Sequence, residues 1–559
     1  MSELIEITVG GMLERMAEQY PNHQCVKYIE REYDMTYSEF NEEVNKVAKG
    51  LLGLGIKKGD HVAIWATNYP EWLSLMFATA RIGAVLVTVN TNYKIAELEY
   101  LLKQSDSKAL FVCDGLKDID CEKTIYELCP ELKDCEPGIL QSKRLPCLTT
   151  VVSIDNRYPG MYKWTDLYKY GARITDDQLE KAKAQVDCHD VVNMQYTSGT
   201  TGFPKGVMLT HYNIVNNGMI IGDHLKLTPR DRYCIHVPFF HCFGMVLSIM
   251  ASVTHGSTML PLLWFTPMKA LHVIEYEKCT AVNGVPTMFI SMLEHRDFKK
   301  YDMSSLRCGI MAGSPCPEKV MQQVVDEMHM TGITSVYGQT EASPGCTQTS
   351  VDDPLHLRVS TVGKKFPHME VKIINPETGE TLGVEQDGEF CVRGYNVMKG
   401  YYKMPEATAE TVDADGWLHT GDLARVDENG YYKITGRIKD MIIRGGENIY
   451  PKEIEEFIYT HPFVQDVQVI GVPDKKYGEE AMACIILKEG KSMTEKEMHD
   501  FIAASMARHK VPRYIEFVDS FPMNAAGKVL KYKMREDAAK RLGLVGAAGI
   551  DTAKGSDPK

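Results

Sequence analysis

The sequence lacks the marks of several broad functional classes. Its 15 cysteines include no Cys-x-x-Cys pair and no Cys/His cluster at zinc spacing. That argues against a disulfide framework and a structural metal site, and fits a reducing, cytoplasmic compartment. Basic charge is in deficit: 62 Lys and Arg against 75 Asp and Glu leave a formal charge of −13, so no electrostatic footprint for nucleic acid or an anionic membrane is present. Long hydrophobic runs are missing too. The most apolar stretch, Met245 to Phe265, is broken by Ser248, Ser252, Thr254, His255, Gly256, Ser257 and Pro261, which excludes an integral membrane span. The opening Met1-Ser2-Glu3-Leu4-Ile5-Glu6 has neither the n-region and h-region of a signal peptide nor the arginines of a transit peptide.

What is present is an ordinary globular composition, 44% hydrophobic and 25% charged over 559 residues, too long for one core, so at least two domains are expected. Met12, Leu13, Met16 and Ala17 fall at helical spacing, and the hydroxyl of Thr36, three residues before Glu39, precedes Val44, Val47, Ala48, Leu51 and Leu52 as a cap precedes a core-facing helix. Apolar runs at His61–Trp65, Val85–Val89, Ala109–Val112 and Val151–Ser153 read as strands, with helical stretches at Trp72–Ala80 and Ile95–Gln104 between them. Strand, helix, strand in that order predicts βαβ crossovers and a largely parallel sheet. Residues 114–149, rich in charge, Pro and Cys and poor in periodicity, read as a surface excursion.

One stretch organises the rest. After Val191-Val192-Asn193-Met194 comes Tyr196-Thr197-Ser198-Gly199-Thr200-Thr201-Gly202-Phe203-Pro204-Lys205-Gly206. Glycines there bring bare N–H groups close to an anion, and hydroxyls and an ammonium add donors. It is not a Walker A loop, because Phe203 and Pro204 separate Gly202 from Lys205. A plain surface loop would show the same residue types, but not this density between two apolar runs.

This loop resembles the signature of the adenylate-forming (AMP-binding) superfamily, which includes acyl-CoA synthetases, firefly luciferase and peptide-synthetase adenylation domains. The resemblance implies that Thr197, Ser198, Gly199, Thr200, Thr201, Gly202 and Lys205 hold the β- and γ-phosphates of ATP while a carboxylate attacks the α-phosphorus. The remaining elements follow in order over roughly residues 10 to 540 of the chain. Pro238-Phe239-Phe240-His241-Cys242-Phe243-Gly244 places His241 where the family orients its acid substrate, although a lone histidine among aromatics is by itself more often a packed core residue. Ala312-Gly313-Ser314-Pro315 resembles the segment covering adenine. Tyr337-Gly338-Gln339-Thr340-Glu341 follows the strand Ile333–Val336: Tyr337 can stack on adenine, Thr340 can donate to the α-phosphate, and Glu341 can hold Mg²⁺ against the phosphates. Thr420-Gly421-Asp422 supplies an acidic residue for the ribose hydroxyls, and Arg437 a fork for ribose or phosphate.

Gly436-Arg437-Ile438-Lys439-Asp440-Met441-Ile442 resembles the family's hinge, with Lys439 at the pivot. Beyond it Pro451 opens a helix, 467–472 and 481–487 read as strands, and Thr494 with Glu497 caps another helix. The expected fold is therefore α/β: a large multi-subdomain N-terminal domain (1–436) with mostly parallel sheets flanked by helices, a hinge (437–442), a small mobile α+β domain (443–545) and an unstructured tail (546–559). By resemblance Gly445, Gly446 and Glu447 line the pantetheine channel, and Lys528, after Gly527, is the lysine that bridges carboxylate and phosphate oxyanions. A pocket of His241, Val285, Met288, Gly338 and Ala342 would be neutral and apolar. The resemblance implies an ATP- and Mg²⁺-dependent acid–thiol ligase with coenzyme A as co-substrate, acting on a small-molecule carboxylic acid. Its segments look closest to the medium-chain fatty acyl-CoA synthetase branch. A coumarate-type aryl-acid ligase, a fatty-acyl-AMP ligase loading a carrier protein, and a non-catalytic nucleotide-binding relative stay open, as does a homo-oligomer.

Overall fold

Thr36 caps the helix Tyr37–Gly53: its hydroxyl accepts from the Glu39 amide, and the Glu39 carboxylate accepts from the Thr36 amide at 2.8 Å. The computed structural model that shows this describes residues 3–116, 119–197, 204–313, 316–444, 447–524 and 529–544, with the backbone alone at 447, 448 and 509. The first helix is Val9–Gln19, burying Met12, Leu13, Met16 and Ala17. The stretch predicted helical at Trp72–Ala80 lies in the helix Pro70–Ile82, which starts with proline at its first turn and ends on Gly83 at φ 72°, a left-handed cap that glycine adopts without strain. It is buried from Trp72 to Ile82, so it lies between layers.

Strands His61–Trp65, Val85–Thr88, Ala109–Val112 and Thr150–Ser153 are parallel neighbours within an eight-stranded sheet, in the order Val85–Thr88, His61–Trp65, Ala109–Val112, Thr150–Ser153. On its other side this sheet turns antiparallel: Val191–Thr197 pairs with Lys205–Thr210, and that strand with Gly400–Tyr401. A nine-stranded sheet carries the parallel strands Arg232–Ile235, Thr258–Pro261, Ala281–Val282, Cys308–Met311 and Gly332–Gly338. One continuous core joins these two sheets. A third sheet, Met369–Ile374, Gly388–Gly394, Leu418–Val426 and Tyr432–Arg437, is wholly antiparallel. The C-terminal sheet has its own core around Ile442, Ile454, Val467, Ala483 and Ile502, covered by helices Pro451–Tyr459 and Glu495–Ala503. Thr494 and Glu497 form the expected capping box.

Residues 114–149 are not a mere surface excursion. Asp120 caps the helix Cys121–Leu128, and Cys121, Ile125, Leu128, Cys129 and Leu132 are fully buried. Their apolar residues are spread over a helix, a single 3₁₀ turn and a loop, so no one period runs through them.

Candidate active site

Each wall of the site is the end of a strand. Thr197 closes Val191–Thr197 and faces Lys205 across the hairpin, so the phosphate-type loop is held by a paired stem. Thr197 donates its hydroxyl to Glu341 Oε1 at 3.4 Å, and Tyr401 donates to the same oxygen at 2.8 Å. Tyr401 reaches this point because its strand pairs with Lys205–Thr210, and the Lys205 ammonium stands 4.8 Å from the Tyr401 ring centroid. Proximity of the Glu341 carboxylate and burial push the Tyr401 phenol up, burial being the larger cause. One carboxylate flanked by two hydroxyls suits Mg²⁺, which takes few protein ligands and completes its shell with phosphate oxygens and water.

The loop bearing Thr340 and Glu341 is pinned by buried amides. Asn217, on the helix His211–Leu225, donates to the Gly345 carbonyl at 2.9 Å and accepts from the Gly345 amide at 3.0 Å. Asn396 donates to the carbonyls of Ala342 and Gly345, at 3.1 and 3.2 Å. At Gly338 a Cβ would stand 1.8 Å from the Pro344 carbonyl oxygen, so only glycine permits the turn. Thr340 is buried and Glu341 partly so. Cys242 donates to Gln195 Oε1 at 2.9 Å, and burial pushes its thiol up to about 12, so it stays a neutral donor.

On the opposite wall Asp422 is 5% exposed and accepts from the Tyr337 hydroxyl at 2.9 Å. Asp422 and Arg437 are register partners across two antiparallel strands, and Arg437 Nε lies 2.9 Å from Asp422 Oδ1. The nearby carboxylate, more than any other group, raises the Arg437 pKa. Tyr337 sits edge-on to Phe390 at 5.0 Å between centroids and is almost covered, so one ring face at most is left for a ligand. Lys439 falls in the short 3₁₀ segment Ile438–Asp440; its pKa is lowered, first by burial and then by the Arg437 charge.

His241 caps the turn Cys242–Gly244, its Nδ1 accepting from the Phe243 amide at 3.1 Å. Val285 and Phe243 are the side chains nearest a Cβ built on Gly313, which has φ 86°, and Met288 lies one turn beyond Val285. Ala342 is fully covered in this conformation. The structure thus gathers Thr197, Lys205, Thr340 and Glu341 on one wall, and Tyr337, Asp422 and Arg437 on the other, joined through the strand and loop 332–342. Ser198, Gly199, Thr200, Thr201, Gly202, Ser314, Gly445, Gly446, the Glu447 side chain, Lys528 and the tail 546–559 lie outside the described residues. Sequence reasoning passed over Tyr401, Asn217, Asn396 and Gln195. None sits in a chemical motif: Tyr401 and Gln195 reach the site on strands, Asn217 from a helix face, and Asn396 from the turn after Gly388–Gly394.

A sequence profile for the AMP-binding enzyme family matches residues 13–402, and one for the AMP-binding enzyme C-terminal domain matches residues 453–528. YngI of Bacillus subtilis (strain 168), provisionally named an acyl-CoA synthetase, is 54% identical over 97% of this chain and 99% of its own. The rat mitochondrial medium-chain acyl-CoA ligase ACSF2 is 41% identical over 97% of this chain and 89% of its own. Among solved structures, the anthranilate CoA ligase AuaEII in complex with anthranoyl-AMP superposes with a TM-score of 0.84 at 27% identity, covering 97% of this chain and 99% of that one.

Proposed function

Because the chain belongs to the AMP-binding enzyme family and is an ATP-dependent acyl-CoA ligase working through an acyl-adenylate, we propose that the acid it activates is a medium-chain fatty acid. The observation that carries this is the neutral, apolar wall beside Gly313, where Phe243 and Val285 meet with Met288 one turn away and none of the three carries a charge or a hydrogen-bonding group. The name of the rat relative points the same way. Such a wall favours an alkyl chain over a second carboxylate, which would be buried without a partner.

In this reading Asp422, paired with Arg437, accepts from the ribose hydroxyls, and one face of Tyr337 lies on the adenine. His241 orients the carboxylate. Thr197, Lys205 and the loop between them hold the β- and γ-phosphates, so their task is to grip the leaving pyrophosphate. Glu341 would hold Mg²⁺, with Thr197 and Tyr401 orienting its carboxylate; when bound, the ion draws charge from the phosphate oxygens. Lys528 would meet the oxyanions of carboxylate and α-phosphate in the adenylation step. Residues 1–436 and 443–545 form the two moving parts about a hinge at 437–442, pivoting on Lys439. Rotation replaces Lys528 with the channel at Gly445, Gly446 and Glu447, through which the coenzyme A thiol displaces AMP. AMP is already a good leaving group, so positioning supplies most of the second step.

Pyrophosphate release across short, medium and long straight-chain acids and aryl acids, with and without coenzyme A, tests this. Each methylene accommodated by an apolar pocket contributes about 1–3 kcal/mol to discrimination, so kcat/KM should peak at about six to twelve carbons. An aryl acid outperforming all of them would overturn the substrate assignment, and acyl-AMP accumulating despite coenzyme A would indicate a carrier-protein acceptor.

A further inference from the structure

The antiparallel sheet that presents Asp422 also gathers a different set of groups. Cys391 and His419 are register partners on Gly388–Gly394 and Leu418–Val426, and a bulge between Glu389 and Cys391 lets Glu389 join them. Cys391 Sγ is 3.5 Å from His419 Nδ1, and Glu389 Oε2 is 3.1 Å from the same nitrogen. All three ligand-type atoms lie within 4.8 Å of one another. The other ring nitrogen, His419 Nε2, is 3.4 Å from Asp413 Oδ2. Asp413 is itself fixed by the amides of Asp415 and Trp417, at 3.0 and 2.9 Å.

We propose that Glu389, Cys391 and His419 form a binding site for one divalent ion of the zinc class, oriented by Asp413. Tetrahedral zinc with Zn–S of about 2.3 Å, Zn–N of about 2.05 Å and Zn–O of about 2.0 Å requires S···N near about 3.6 Å and N···O near about 3.3 Å. The observed separations match without movement of the backbone. The donor set is also what such an ion selects: a thiolate, an imidazole and a carboxylate. An ion on Nδ1 would leave Nε2–H to donate to Asp413, the arrangement that orients most metal-bound histidines. Cys391 and Glu389 are buried while the His419 side chain is 29% exposed, so the ion enters from the histidine side and keeps a water as its fourth ligand. On binding, the Cys391 thiol gives its proton to solvent as the S–metal bond forms. The neighbouring Lys372 ammonium is turned onto the Trp417 ring, 4.3 Å from its centroid.

The site has a structural consequence. Glu389 uses its second oxygen, Oε1, to accept from the Gly421 amide at 2.9 Å. Gly421 has φ 69° and directly precedes Asp422. Fixing Glu389 by a metal therefore braces the strand segment that presents Asp422.

The full-length protein, stripped with a chelator and titrated with Zn²⁺ or Co²⁺, tests the proposal. One ion per chain, a thiolate-to-cobalt charge-transfer band, and a rise of a few degrees in Tm at saturating Zn²⁺ are expected. Cys391→Ser should abolish the band, and Asp413→Asn, a surface change that leaves the ligands in place, should keep the band while weakening affinity about tenfold. Cys188→Ser, in the separate group Asp187, Cys188 and His189, should change nothing. No stoichiometric binding in the wild type, a band that survives Cys391→Ser, or one that disappears with Cys188→Ser, would each overturn the assignment, as would an Asp413→Asn protein with unaltered affinity.

Discussion

Around Glu341 and Asp422 the contacts are buried or part-buried and come in sets: two hydroxyls on one carboxylate oxygen, two hydrogen bonds between Asn217 and Gly345, a phenol and a guanidinium on Asp422. Around residues 438–442 they are part-buried or exposed, and run from cationic side chains to carboxylates and carbonyls in equal measure. Arg535 reaches Asp440 Oδ1 at 3.1 Å and the Lys439 carbonyl at 3.4 Å, Lys452 donates to the Ile434 carbonyl at 3.0 Å, and Lys433 stands 3.5 Å from Glu456. Buried paired networks cost several kcal/mol to disturb, whereas exposed ion pairs are worth about 0–1 kcal/mol. The proposed nucleotide wall and the proposed joint are built from different grades of contact. Substitutions on the two sides should therefore differ in size and in the step they affect.

The largest effect belongs to the one charge that the C-terminal part is proposed to bring across the joint. Lys528→Ala should reduce adenylation by about 10²–10³-fold, the loss expected on removing one donor to developing oxyanion charge. Thioester formation from supplied acyl-adenylate should be nearly unchanged. Pyrophosphate release and thioester formation measured separately decide this, and equal losses in both would remove Lys528 from the first step. Asp422→Asn comes next. It keeps the shape but removes the charge paired with Arg437, and hydrogen bonds to a charged partner are worth about 1.5–3 kcal/mol, so kcat/KM for ATP should fall about 10- to 150-fold. An unaltered KM for ATP would take Asp422 off the ribose. Asn217→Ala touches no ligand, yet it strands the Gly345 amide in a buried place and leaves the Gly345 carbonyl to Asn396 alone. A stability loss of about 2 kcal/mol is expected, read as a lower denaturant midpoint, with a smaller loss of kcat because the ladder from Tyr337 to Thr347 remains. A variant as stable as wild type would mean that the wall is softer than its contacts imply.

Local signals in the chain carried the parallel strands at 61–65, 85–88 and 109–112 and the capping boxes at Thr36 and Thr494, because a strand run or a cap is complete within a few residues. They did not carry the buried path of 114–149, where no period persists, nor the antiparallel sheet that holds Asp422 and Arg437. Tyr401 lies 60 residues from Glu341, and Asn217 lies 128 from Gly345. Nothing near either in the chain marks it as part of the site. Cys391 and His419 show the same limit. They are 28 residues apart and meet through strand register, so an argument from local Cys and His spacing against a metal site does not reach them.

The smallest expected change is the one that most sharpens the contrast between wall and joint. Arg535, on the helix Lys531–Arg541, is the described side chain that ties the C-terminal helix to the proposed hinge, through Asp440 and the Lys439 carbonyl. Both partners of the ion pair are about a quarter exposed, so water and salt weaken it. Arg535→Gln should therefore leave global stability within about 0.5 kcal/mol. If the link favours one arrangement of the joint over the other, its loss shifts their ratio by the same small free energy, which is about a two- to threefold change in population. In the proposed alternation the two half-reactions draw on different arrangements, so their rates should move in opposite directions by about that factor, and raised ionic strength should reproduce the shift in the wild type but not in the variant. Both rates falling together would show instead that Arg535 supports the fold around residue 440, and that the joint is held as firmly as the wall.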